Sequence, residues 1–313
     1  MKEYYQDKLF VPGHRFCPGC AAPIAVKAIL KATGANVILV SPTGCLEVCT
    51  SPYPYSAWGV PWVHSLFENA PAIAVGVEAA LKVRGRRDVH VVVIGGDGST
   101  YDIGLGALSG MFERGHNILY ICYNNEAYMN TGVQRSGATP YLASTMTTRP
   151  GLMEPGNMRP KKNLPAIALA HGIPYVATAS VAFPQDITRK VERALNIVGP
   201  KYIEIHTPCP IGWGFDTALS IEVARKGVLS GLIPLYEAGP DIPLKVRPIR
   251  KPEPVTAYLK LQGRFKHLFL RPDGEQWIAE IQAIADDNIR RLGLASQPPT
   301  QEADGIATDL SGA

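Results

Sequence analysis

An α/β fold, a parallel sheet with helices on both faces, is predicted by three features of this sequence. Five short apolar runs have the length and composition of strands. Each is followed by a loop and then by apolar residues at helical spacing, an alternation that favours parallel pairing. The composition, 46% hydrophobic and 19% charged over 313 residues, is that of a globular chain with room for one large domain or two small ones.

In chain order, helical periodicity first covers residues 21–31 (AAPIAVKAILK), ahead of a strand at 36–40 (NVILV). A second helix is expected at 70–83 and a strand at 89–94 (VHVVVI), then a helix at 104–112 and a strand at 117–123 (NILYICY). A helix at 166–171 precedes a strand at 174–178 (PYVAT), and a helix at 184–197 precedes one at 202–206 (YIEIH). No internal repeat is visible. Residues 130–164, rich in Thr, Gly, Pro and Met, are too long for an ordinary connection and are expected to form a lid or a partner-binding loop. After about residue 239 the chain turns Pro- and Lys-rich, regains a helix at 275–291 and ends in a polar tail from residue 296, expected to be disordered. The resulting division is a first domain at 1–240, an extension at 241–295 packing on that domain or on a partner, and a tail at 296–313.

The net charge of +4 comes without a basic stripe carrying interleaved aromatics, which argues against nucleic acid. The clusters Arg84, Arg86, Arg87 and Lys245, Arg247, Arg250, Lys251 read as solvated surface or a partner contact. The first residues have no apolar core of a secretory signal, and no run reaches the roughly 18 apolar residues of a membrane span. A cytoplasmic location is expected, and there six cysteines are read as metal ligands, redox groups or buried thiols.

The first chemical constellation is Gly95-Gly96-Asp97-Gly98-Ser99, between a strand and a helix where phosphate commonly binds. A dinucleotide is disfavoured, because Tyr101 stands where the third glycine of that fingerprint belongs. Asp97 would also repel a bare diphosphate, unless a divalent cation lay between them. Magnesium takes oxygen ligands and shares phosphate oxygens with carboxylates. A glycine turn with a capping Asp would account for GGDGS alone. The pair Asn124-Asn125, about 30 residues on at the end of the next strand, supplies a neutral oxygen and points to magnesium and diphosphate.

The second constellation is Cys17-Pro18-Gly19-Cys20, Cys45 and Cys209. A C-x-x-C alone could be half a zinc site, a redox pair or chance. Cys45 and Cys209 each lie just past a predicted strand, and the carboxyl ends of parallel strands share one edge. Asp97 and Asn125 occupy that edge as well. Four convergent thiolates hold zinc or a [4Fe–4S] cluster, and only the cluster could accept electrons one at a time. Cys49, one helical turn after Cys45, is the rival fourth ligand, whereas Cys122 within a strand reads as a buried thiol. His14 and His64 are read as structural.

Taken together, the GDG–NN pairing resembles the diphosphate motif of thiamine-dependent enzymes, and the chain as a whole resembles the beta subunit of the pyruvate (2-oxoacid):ferredoxin oxidoreductase family. The likeness runs from Gly13 to about Leu268 on CPGC, SPTGCLEV, SPYPYSAWGVPWVHSLFENA, GGDGSTYDIGLGALSGMFERGH, YNNEAYMNTGVQRSGATP, AHGIPYVATAS, PCPIGWGF and YLKLQGRFKHL. It implies a thiamine-diphosphate-binding fold with Asp97, the Asn125 side chain and the Ala127 carbonyl on magnesium. Gly96, Gly98 and Ser99 would line the diphosphate, with Asn130, the candidate catalytic residue, and Thr131 near the thiazolium ring. Cys17, Cys20, Cys45 and Cys209 would hold one [4Fe–4S] cluster.

The resemblance further implies oxidative decarboxylation of a small 2-oxoacid, electrons passing through the cluster to an external ferredoxin. Pyruvate with coenzyme A, giving acetyl-CoA and carbon dioxide, is the favoured substrate; oxalate, giving carbon dioxide without coenzyme A, is the alternative. In this family an alpha subunit supplies the glutamate that activates the cofactor. A ferredoxin-like two-cluster subunit and a gamma subunit, or fused equivalents, complete the complex. Glu47 and Glu68 are not assigned the activating role. Readings of another class are an electron-transfer subunit without thiamine, a zinc-stabilised assembly subunit, and a non-oxidative thiamine decarboxylase.

Overall fold

Strands covered on both faces are apolar along most of their length, and two runs here show it, His90–Gly96 and Ile118–Asn124. In the computed structural model, which describes residues 8–295, they lie side by side in an eight-stranded sheet. The strands are β1 (Val37–Pro42), β2 (Trp62–Ser65), β3 (His90–Gly96), β4 (Ile118–Asn124), β5 (Tyr175–Ser180), β6 (Lys201–His206), β7 (Tyr236–Gly239) and β8 (Ile242–Val246). Their spatial order is β2-β1-β3-β4-β6-β5-β7-β8. The pairings among β1 to β6 are parallel; β7 joins β5 antiparallel and β8 joins β7 antiparallel. The expected sheet with helices on both faces is thus present, within one or two residues of the predicted strands. Three short strands, β2, β7 and β8, escape the sequence because runs of four or five residues carry too little pattern.

Alternate side chains of the central strands feed two cores. Leu39, Val92, Leu119 and Ile203 face α1 (Ala22–Thr33), which packs beside a helix at Pro184–Leu195. Val93, Tyr120 and Tyr202 face the other way, onto helices at Ala70–Val83, Leu105–Glu113 and Leu164–Ala170. In chain order after α1 these are α2 (Cys45–Thr50), α3 (Ala70–Val83), α4 (Leu105–Glu113), α5 (Leu164–Ala170) and α6 (Pro184–Leu195). Helices α1, α3, α5 and α6 each carry Pro in the first turn, where its missing N–H has no helical partner to lose.

A third core joins the later chain to the site. It gathers Trp213 at the end of α7 (Pro210–Trp213), Val223 of α8 (Ser220–Leu229), Tyr258 of α9 (Val255–Leu259), Phe265, and Ile281 of α10 (Gly274–Leu292). Leu142 and Ala143 belong to the same core although they come from the long connection between β4 and α5. That connection is pinned for most of its length. Asn157 Nδ2 donates to the carbonyls of Thr139, Pro140 and Arg159, each at 3.0 Å. Residues 149–154 form its longest continuous exposed run, with Leu152 and Met153 almost fully exposed.

The tail expected to be disordered from residue 296 lies outside the described residues. Among the described residues no helix is long and apolar enough to cross a membrane.

Candidate functional site

Parallel pairing puts the ends of β1, β3, β4 and β6 on one edge, and the predicted site residues follow those ends. β3 closes on Gly95-Gly96, and the chain turns through Asp97 into a π-helical stretch, Gly98–Ile103, that leads into α4. Such stretches are frequent at functional sites. Thr100 Oγ1 donates to the Gly96 carbonyl at 2.6 Å and lies 2.9 Å from the Tyr120 hydroxyl. The glycines here supply room. A Cβ on Gly95 would stand 2.6 Å from the Tyr120 hydroxyl, and one on Gly98 would enter the Tyr128 ring. The N–H groups that open the turn point out at the positive end of a helix, a setting that binds anions.

A cavity of about 190 Å³ lies over this turn. Its wall takes Gly96, Asp97, Gly98 and Ser99 from the turn, and Asn125, Ala127, Asn130 and Thr131 from the loop after β4. All eight sequence-predicted cofactor residues therefore border one space. Asn130 and Thr131 sit at its exposed rim. Cys45 borders it too, at the end of β1.

Asp97 is 1% exposed. Ser136 Oγ donates to its Oδ2 at 2.5 Å and the Asn125 N–H to its Oδ1 at 3.3 Å. Burial pushes the carboxyl up to about 7, and these donors pull it the other way. The Asn125 carboxamide stands 2.9 Å from Asp97 Oδ1 and 2.9 Å from the Ala127 carbonyl oxygen, and its own oxygen is the atom turned toward them. Three acceptors then face one another. Turning the amide over would replace repulsion by two hydrogen bonds, but a dication offers a second solution. Adjacent ligands of an octahedral cation with Mg–O of ~2.0–2.1 Å stand about 2.9 Å apart. The donor set, a carboxylate with a carboxamide and a backbone carbonyl beside it, fits that cation.

The thiols meet beside the same cavity. Cys17 and Cys20 close a turn through the Cys20 N–H and the Cys17 carbonyl at 3.0 Å, just ahead of α1. Gly19 has φ 71 and lies so close to the Thr217 carbonyl that a side chain would collide with it. Ser220 Oγ donates to the Gly19 carbonyl at 2.5 Å, so the CPGC turn is docked on the segment that follows Cys209. Cys209 caps α7, its Sγ accepting the Gly212 N–H at 3.3 Å. Burial, helped by the sulfurs of Cys209, Cys17 and Cys49, pushes the Cys20 thiol up to about 12. Cys45 is raised by burial and by Cys49, Cys209, Cys20 and Cys17. Five thiols therefore share one neighbourhood, Cys49 included, while Cys122 is buried inside β4. Among the described residues no three His, Cys, Asp or Glu side chains are drawn together tightly enough for a single metal ion. A closed tetrahedral zinc site, with sulfurs ~2.3 Å from one ion, is not preformed.

Comparison with known proteins identifies the family and its thiamine domain. Residues 42–205 match the family described as thiamine pyrophosphate enzyme, C-terminal TPP binding domain. Pyruvate synthase subunit PorB of Methanosarcina barkeri is 58% identical over 283 residues, 90% of this chain and 96% of that one. The chain belongs to the beta-subunit family of 2-oxoacid:ferredoxin oxidoreductases. PorB of Methanothermobacter thermautotrophicus is 52% identical, over 92% of this chain and 99% of that one. The ketoisovalerate oxidoreductase subunit VorB of Pyrococcus abyssi is 47% identical, over 84% and 86%. In fold, the beta subunit resembles a 2-oxoglutarate:ferredoxin oxidoreductase from Magnetococcus marinus, solved with 2-oxoglutarate, coenzyme A and succinyl-CoA bound. The TM-score is 0.56 at 24% identity, covering 72% of this chain and 81% of that one.

Several residues of the beta-subunit site carry no legible signal in the sequence. Ser136 meets Asp97 from 39 residues away, inside a loop without periodicity. Phe67, Tyr123, Tyr128 and Met129 line the cavity as ordinary aromatic or apolar residues would line a core. The tyrosine at the end of β4, Tyr123, places its hydroxyl 3.3 Å from the Leu46 N–H and so ties the Cys45 turn to the central strand. Neither Glu47 nor Glu68 borders the cavity. Glu47 lies instead 3.9 Å from His64, whose Nε2 is 2.9 Å from Thr43 Oγ1.

Beneath the loop after β4, His206 is 3% exposed with neither ring nitrogen partnered. Burial pulls its pKa down to about 4. The unfolded value is ~6.5. The folded beta subunit therefore binds this proton less readily than the unfolded chain, and the group's stabilising share is complete above pH ~6.5 and lost as pH falls toward 4. Urea unfolding should lose on the order of 3 kcal/mol across that window from this residue. His206→Phe should flatten the dependence, and an unchanged slope would refute the assignment.

Proposed function

We propose that this beta subunit holds thiamine diphosphate and magnesium in the 190 Å³ cavity, next to a [4Fe–4S] cluster on Cys17, Cys20, Cys45 and Cys209. In complex with partner chains it would convert pyruvate, coenzyme A and two oxidised one-electron acceptors into acetyl-CoA, carbon dioxide, a proton and two reduced acceptors. The observation that carries this reading is that Cys45 belongs to both halves. It borders the cavity and has the other thiols for neighbours. Met129 makes a second bridge, lining the cavity while its sulfur packs on Gly212 beside Cys209.

Asp97, Asn125 and the Ala127 carbonyl would hold magnesium, a reading supported by their convergence on one cavity wall. Gly96, Gly98 and Ser99 would cradle the diphosphate with backbone N–H groups, and Asn130 and Thr131 would orient substrate and cofactor at the rim. Thiamine diphosphate supplies an electron sink for the carbon freed by decarboxylation. In a cubane the four cysteines would each bind a different iron. No glutamate borders the cavity among the described residues, which supports a partner alpha subunit as the source of the activating acid. A two-cluster ferredoxin-like subunit, a gamma subunit or fused equivalents, and an external ferredoxin would complete the path. Pyruvate is chosen because the PorB relatives bear its name at up to 58% identity.

Three measurements test the reading. Anaerobic viologen reduction by the native complex should require both pyruvate and coenzyme A. Strong reduction with 2-oxoisovalerate, or with oxalate in the absence of coenzyme A, would move the substrate and keep the mechanism. Asp97→Ala should abolish thiamine diphosphate retention in the purified complex, and normal cofactor content would remove Asp97 from the metal site. Cys209→Ser should lose most of the cluster iron of this chain. Full iron content in that variant, with loss in Cys49→Ser, would transfer the fourth ligand to Cys49.

A further inference from the structure

We propose that Arg264 is a positioning residue for the metal loop: its ion pair with Glu126 holds that residue in a left-handed turn, and the turn aims the Asn125 carboxamide and the Ala127 carbonyl together at Asp97. The inference rests on the magnesium reading and adds the device that would keep those ligands in place.

Glu126 lies between two of the proposed ligands and has φ 67. Residues other than Gly, Asn and Asp seldom adopt this region. One positive φ reverses the sense of the chain locally, so groups on either side of the residue can face a common point. That is the arrangement here: Asn125 and Ala127 both border the cavity, and Glu126 between them does not. The Glu126 side chain points away, into the protein, at 1% exposure. It is therefore placed to hold the loop and not to bind the metal.

Its holders are specific. Arg264 Nη2 meets Glu126 Oε2 at 2.7 Å, and Lys161 Nζ lies 3.6 Å from Oε1. Lys161 is shared with Glu204 at 3.4 Å, so Arg264 is the dedicated partner. The Glu126 N–H donates to Asn124 Oδ1 at 3.0 Å, and its carbonyl accepts from Thr139 Oγ1 at 2.7 Å. Arg264 is as well fixed as the residue it holds. Its guanidinium carbon lies 3.6 Å over the Trp213 ring, and its Nε donates to Gln262 Oε1 at 2.8 Å. Trp213 Nε1 in turn donates to the Asn125 carbonyl at 2.8 Å. A planar guanidinium can stack on the indole and bond the carboxylate at once, which an ammonium cannot. Arg264 reaches the loop from 138 residues further along the chain, in the 3₁₀ stretch Gly263–Phe269. The later chain therefore supports the metal loop directly.

The test uses the intact complex with the wild-type chain, Arg264→Gln, Glu126→Gln, the double variant and Arg264→Lys, with Mn²⁺ as a spectroscopic probe of the metal site. With thiamine diphosphate present, each single Gln variant should bind Mn²⁺ about 10–100-fold more weakly, the usual effect of removing a support behind a metal ligand. The double variant should be no worse than the weaker single, because both changes break one pair. Arg264→Lys should recover part of the affinity, and iron content should stay at the wild-type level. Wild-type Mn²⁺ affinity in Arg264→Gln, additive losses, or iron lost in step with manganese would overturn the proposal. If Arg264→Gln fails to assemble, Glu126→Gln, which keeps the side-chain shape, carries the same comparison. Wild type and Asp97→Ala run alongside separate the two levels of inference. Absence of a Mn²⁺ site in the wild type, or indifference to Asp97→Ala, would sink the magnesium reading. A normal response there with an unchanged Arg264→Gln would sink only this one.

Discussion

Desolvation of one carboxylate sets the terms for this site. Asp97 stands at the end of a central strand, almost wholly out of water, with hydroxyl and amide donors on one side and two further oxygens on the other. A charge in that position is costly unless a cation joins it. The proposed cation would find oxygen ligands in the surrounding residues, and the anion it would bring would find backbone N–H groups. On the proposed reading, this buried oxygen cluster is where magnesium and the diphosphate would sit.

The parallel sheet makes the arrangement available. Antiparallel neighbours would send the turns after β3 and β4 to opposite edges. Parallel ones put Asp97, Asn125, Cys45 and the approach to Cys209 on the same edge, a few strands apart. The two cores on either face of the sheet hold those strand ends rigid, so the site is built on fixed backbone. The third core extends this to the later chain, where Trp213 is both a core residue and a hydrogen-bond donor to the metal loop. Cys209 caps the helix that Trp213 ends, so the thiol group and the oxygen group are joined by one short helix. A displacement on one side would be felt on the other.

The relatives agree with this construction at the level of the family, since the match to the thiamine pyrophosphate domain covers the chain from the end of β1 to β6. The CPGC turn, Cys209 and the C-terminal helices fall outside that span. The matches to whole beta subunits run over about nine-tenths of the chain.

Local pattern was enough for the central strands, for α3 and α6, and for the two motifs at the site, because each of these is written in a few consecutive residues. A strand buried on both faces is apolar along most of its length, and a diphosphate turn needs its glycines and its carboxylate together. The sequence by itself therefore determined the central strands and their parallel sense, and singled out Asp97, Asn125 and the cysteine set as candidates. Only the tertiary structure decided which distant groups complete them. Ser136 reaches Asp97 across a loop with no period, Arg264 reaches Glu126 from the far end of the chain, and Gly19 docks on Thr217 by close backbone contact. The left-handed turn at Glu126 was equally hidden, since a glutamate gives no warning of positive φ. Such contacts depend on how elements pack in three dimensions, and packing leaves no periodic mark on either of the segments it joins.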